Sequence, residues 1–131
     1  MKTAFIMSEN HDVIQDYVEH KGANFRVLNR VGEQQFDILC RQVNIEKTNY
    51  TFIPKKDLEQ GLRDDLYIGL VIFIDGEKPR KYLFPSTVWN TPNQMFSDSS
   101  VKYPEYGINL NSKTMVDFVS TYAFEKVIDE V

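Results

Sequence analysis

The chain is 131 residues long, close to the commonest size of a single domain and short for two. Its 15 basic and 19 acidic residues leave a net charge of −4, which argues against a broad basic nucleic-acid footprint and leaves room only for a local patch. The single cysteine, Cys40, excludes an intramolecular disulfide and a cysteine-based zinc site.

Taken along the chain, the N-terminus reads in two ways. Val13, Ile14, Tyr17 and Val18 form a helical stripe with Gly22 as a stop, which favours a helix over 9–21. The same letters also fit a short strand, Asp12–Gln15, after a helix over Lys2–Glu9. Phe25–Asn29 is expected as a strand that turns at Val31-Gly32-Glu33 into a second, Phe36–Val43. Asn49–Ile53 is a weaker strand, and Pro54 suits the first position of a short helix running to Leu58.

Ile68–Ile74 is continuously apolar, as expected of a central strand covered on both faces. Seven residues are too few to span a bilayer as a helix. With Lys81–Phe84 this segment is expected to form a hairpin across Asp75–Arg80, and Pro85–Trp89 is a second short helix start. The stretch Asn90–Tyr106, with Pro92, Pro104 and Ser97–Ser100, reads as a long surface connection. Met115, Phe118, Val119 and Tyr122 have the spacing of a helix capped by Asn111 or Ser112, with a further turn over Phe124–Val131. The fold class expected is α/β: one domain over 1–131, with a central mixed sheet of about five strands flanked by helices. Met1–Asn10 lacks the length and cleavage site of a signal peptide, so a soluble, cytoplasmic protein is expected.

Motifs for chemistry are sparse. No Gly-x-Ser-x-Gly elbow supports a triad built on His11 or His20, and these two histidines lack close-spaced partners for zinc. The six glycines form no phosphate-binding loop. Cys40 alternates with Ile38 on a strand and reads as a small buried hydrophobe rather than a nucleophile. Tyr82, Phe84, Trp89, Phe96, Tyr103 and Tyr106 suit base stacking but read first as core and loop packing. Lys55-Lys56 and Lys78–Lys81 sit among acidic neighbours, as on a solvated mixed-charge surface.

The order of segments carries one resemblance. Gly22–Val27, a tight turn, Phe36–Val43, Asn49–Lys56, Leu62–Phe73, Tyr82–Trp89 and Pro104–Asn109 together resemble an uncharacterised bacterial family with the restriction-endonuclease-like, PD-(D/E)XK, fold. The resemblance spans nearly the whole chain and implies the order helix, strand, strand, strand, helix, strand. It thereby shifts the N-terminal expectation to a helix near 2–10 and a strand near 12–16. In such nucleases acidic side chains hold Mg²⁺ by oxygen and a nearby Lys helps activate water.

Under the resemblance the metal-binding Asp maps onto Asn24, the Glu or Gln onto Leu39 and the Lys onto Arg41. An amide is a weak neutral ligand, Leu is none, and Arg stays protonated and so cannot act as a base. The expectation is therefore a catalytically degenerate nuclease-like domain that acts as a binding or interaction protein, with nucleic acid or protein as partner and no cofactor. A homodimer through an exposed sheet edge or the aromatic loop region is one arrangement it allows. In the alternative register Asp37 is the metal ligand, assisted by Glu19 or Glu33, with Lys55 as the catalytic lysine and Mg²⁺ or Mn²⁺ as cofactor. That register ranks lower because it puts Pro54 within a motif strand. A third reading is a small acidic partner-binding protein of the antitoxin or immunity type, suited to a basic partner.

Overall fold

The computed structural model describes residues 10–14, 24–58, 60–100, 102–111, 115 and 121–131. The fold is mixed α/β, built on a five-stranded mixed sheet. Its strands are β1 (His11–Val13), β2 (Phe25–Asn29), β3 (Gln35–Asn44), β5 (Leu66–Phe73) and β6 (Arg80–Pro85), in that spatial order. The pairings β1–β2, β2–β3 and β5–β6 are antiparallel, and β3–β5 is parallel. A second sheet of three antiparallel strands is ordered β4 (Tyr50–Pro54), β8 (Glu105–Asn109), β7 (Phe96–Ser99).

The alternating side chains of the central strands explain the layers. Leu39 and Val43 of β3, with Leu66, Ile68, Leu70 and Ile72 of β5, face the second sheet and pack with Ile53, Phe96 and Ile108. Phe36, Ile38 and Cys40 of β3, Val71 of β5 and Leu83 of β6 point the other way. There they bury Phe124, Val127 and Ile128 of the single described α-helix, α1 (Phe124–Ile128). The i, i+3, i+4 spacing of those three residues puts them on one stripe of the helix. β5 is covered on both faces, which accounts for its unbroken apolar run.

The strand expected near 12–16 is present as His11–Val13, so the helix expected over 9–21 is corrected at these residues. They are held as strand by pairing with Val27–Asn29, a long-range partner that a local apolar stripe does not reveal. The rest of both N-terminal helix expectations (1–9 and 15–23) lies outside the described residues. Most of the late helix over 112–122 does also; Met115 and Thr121 are helical. The short helix starts at Pro54 and Pro85 become 3-10 turns, Lys55–Asp57 and Ser86–Asn90.

Three expectations change. The helices expected to flank the sheet are reduced, among the described residues, to α1 on one face, while the second sheet covers the other. Asn90–Tyr106 is more than a surface connection, because it holds β7 and the start of β8. β7 is polar except for Phe96, so its ladder to β8 makes it a strand. The weak strand at 49–53 exists as β4, but in the second sheet.

Candidate functional site

Asn24, Leu39 and Arg41 are brought together, but as parts of the packed fold. Asn24 extends the β2–β3 ladder: its N–H donates to Ile38 O (2.9 Å), and its side-chain Oδ1 accepts from Cys40 N–H (2.6 Å). Leu39, on the next strand, is 3% exposed and belongs to the apolar cluster beneath the second sheet. Arg41 lies on the same face two residues on. Its Nη1 donates to Cys40 O (3.0 Å) and its Nε to Phe52 O (3.3 Å), and Asp57 lies 3.9 Å from Nη2. Burial pulls its guanidinium below the ordinary arginine value although Asp57 opposes this. One amide oxygen already accepting a hydrogen bond, an apolar side chain and a fixed cation do not fit a divalent metal, which takes several oxygen ligands. Among the described residues no group of three or more His, Cys, Asp or Glu is placed to hold a metal ion.

Asp37 is engaged differently. Its side chain is fully buried, and its two oxygens accept from Arg26 Nε (2.8 Å) and Arg63 Nη2 (2.6 Å). Arg63 Nη1 also donates to Asp65 (2.6 Å), and Asp37 N–H donates to Asp65 O (2.7 Å). Ser86 Oγ clamps the Arg63 backbone by accepting from its N–H and donating to its carbonyl. Burial pushes the Asp37 carboxyl up, but the two guanidinium groups outweigh it and hold the group below its ordinary value. Asp37 is thus a tie between β2, β3 and the segment before β5, charged at neutral pH, with its oxygens committed to arginine.

Lys55, placed with Asp37 by the alternative register, lies beyond β4 and pairs elsewhere. Its ammonium meets Asp98 (2.5 Å) and Ser100 Oγ (3.1 Å), and lies over the Tyr106 ring. Glu33 sits in the β2–β3 turn at φ 60°, and Glu19 lies outside the described residues. Cys40 is buried, and burial pushes its thiol up to about 12, so the thiolate is scarce at neutral pH. Of the aromatic group, Tyr82, Phe84, Trp89 and Phe96 are buried core. The Phe84–Phe96 and Trp89–Phe96 ring centroids are 4.9 and 5.7 Å apart.

Sequence reasoning did not find one concave feature of the surface. A groove of about 490 Å³ runs between β4 and the 102–105 turn, lined by Phe52, Pro54, Lys55, Lys56, Lys102, Tyr103, Pro104 and Glu105. Phe52 and Tyr103 are large apolar residues that stay exposed, Tyr103 at 73%. Lys102 holds a left-handed backbone (φ 27°), and its ammonium lies over the Tyr103 ring. The outward phase of Phe52 beside buried Ile53 was the available signal, but the partner turn comes from fifty residues away. Compared with known proteins, the chain matches no family model, no curated protein and no solved structure.

Proposed function

We propose that the chain is a non-catalytic binding module built on a restriction-endonuclease-like core. The frame is supported by the mixed sheet of five strands that the resemblance implies, although β4 and a 3-10 turn stand where it implies a helix between the third and fourth strands. Loss of catalysis is supported above all by Leu39. The position mapped to the metal-binding Glu or Gln is a buried apolar side chain under the second sheet, where a hydrated cation would be desolvated without compensation. The Asp37 register is disfavoured because both Asp37 oxygens serve arginines.

A protein partner suits the surface better than nucleic acid. The net charge is negative, and the groove lining holds three lysines beside one glutamate. The test is incubation of the full chain with single- and double-stranded DNA and RNA in Mg²⁺ and in Mn²⁺. No cleavage above a buffer control is expected. Cleavage that Arg41→Ala or Asp37→Asn abolishes would overturn the reading.

A further inference from the structure

We propose that the groove between β4 and the 102–105 turn docks an acidic partner segment carrying a large apolar anchor. The anchor seats against Phe52, Pro54, Tyr103 and Pro104, and carboxylates beside it meet Lys56 and Lys102. This deepens the binding-module reading and rests on it, but it does not depend on the nuclease-like core.

The shape of the groove favours recognition of side chains over addition of a strand. Lys55 N–H donates to Pro104 O and Leu110 N–H to Asn49 O, so odd-numbered residues of β4 pair with β8. The even-numbered ones turn their backbone groups outward, and these are largely occupied. Thr48 Oγ1 bonds both Tyr50 N–H and Tyr50 O, Arg41 donates to Phe52 O, and Pro54 has no N–H. An edge blunted in this way resists a further strand. The side chains beside it remain open.

The chemistry of the walls selects the occupant. Two prolines and two exposed aromatic rings form a rigid apolar surface that loses little entropy on contact. Around it the charges are one-sided. Lys55 is neutralised by Asp98, whereas Lys56 and Lys102 are exposed and have no ion-pair partner among the described residues. The one carboxylate of the lining, Glu105, accepts the Tyr50 hydroxyl. A local excess of lysine on an acidic protein attracts a carboxylate-bearing segment of modest charge. A nucleic-acid strand carries a phosphate at every nucleotide and meets the repulsion of the whole molecule. The left-handed conformation of Lys102 is costly for a residue with a Cβ, and such strain concentrates at ligand-binding turns.

The full chain can be panned against a displayed random-peptide library, with a short oligothymidylate as competitor. Enriched peptides are expected to share a large apolar residue flanked by Asp or Glu. The Lys56→Glu/Lys102→Glu variant should bind them at least about tenfold more weakly, a change of about 1.4 kcal/mol. It should also select peptides flanked by Lys or Arg instead. Tyr103→Ala, at an exposed position, should weaken binding to a similar degree, and far-UV circular dichroism should show both variants folded. The proposal is overturned by no enrichment, by enrichment without acidic residues, by affinities that neither variant changes, or by oligothymidylate displacing the peptides. Any of these leaves the cleavage assay unaffected, so failure of the groove and failure of the non-catalytic reading are separate results.

Discussion

At the scale of the residue, the informative side chain is Asp37. Its place on an apolar strand marks it out in the sequence, and a carboxylate there invites a catalytic reading. The structure gives it two guanidinium partners and no water-facing oxygen. A carboxyl whose folded pKa is depressed stabilises the fold above its unfolded value, near 3.8, and that contribution is lost as pH falls through the folded value. Asp37→Asn should therefore cost roughly 2–4 kcal/mol at neutral pH. This is below the full cost of breaking a buried pair because Arg26 and Arg63 keep partial contact with water. Urea unfolding of both proteins over a pH series should show the gap narrowing below about pH 4. A gap that stays constant to low pH would mean that the carboxylate charge is not what stabilises the tie. Neither Arg26 nor Arg63 could be assigned to Asp37 from the sequence. Arg63 lies 26 residues away, and its reach depends on the parallel placement of β5 beside β3.

At the scale of the element, strands with apolar alternation or continuous apolar runs were legible close to their ends. Phe25–Asn29 is found as expected, and β3, β5 and β6 depart by a residue or two. Strands held by their neighbours were not legible. β8 carries Gly107 at its centre, a poor strand former taken alone. Its value appears only in the second sheet, where Tyr50 from β4 and Ser97 from β7 close over it. A Cβ at Gly107 would overlap Ser97 Oγ and the Tyr50 ring. Its carbonyl also accepts the Trp89 indole N–H at 3.0 Å. Gly107→Val should then destabilise the fold by about 1–3 kcal/mol through overpacking, seen as a lower urea midpoint at an unchanged m-value. An unchanged midpoint would show that Tyr50 and Ser97 move aside freely.

At the scale of the whole molecule, the two sheets share one apolar cluster while α1 covers the opposite face of the larger sheet. Neither sheet can keep its inner face buried without the other. Unfolding should accordingly be a single transition. Trp89 is 1% exposed between the sheets and is the only tryptophan, so its fluorescence reports on their contact. Its urea midpoint should coincide with that of far-UV circular dichroism. Separated midpoints would show that the second sheet peels away first. Sheet edges bear on the homodimer that the sequence allows. β4 is blunted as described, and β6 is bridged by the Tyr122–Ala123 segment, so a dimer through a sheet edge would, among the described residues, use β1 or β7.

The sequence by itself determined the mixed α/β class, the central apolar strand, the β2–β3 and β5–β6 hairpins and the inert character of Cys40. Each follows from local periodicity, turn chemistry or composition, which act over a few residues. Only the tertiary structure decided that Asp37 faces arginines, that Leu39 is roofed by a second sheet, and that residues 52–56 and 102–105 form one groove. Those outcomes depend on which distant segments meet, and the free energy that selects the meeting is the burial of apolar surface summed over the whole chain.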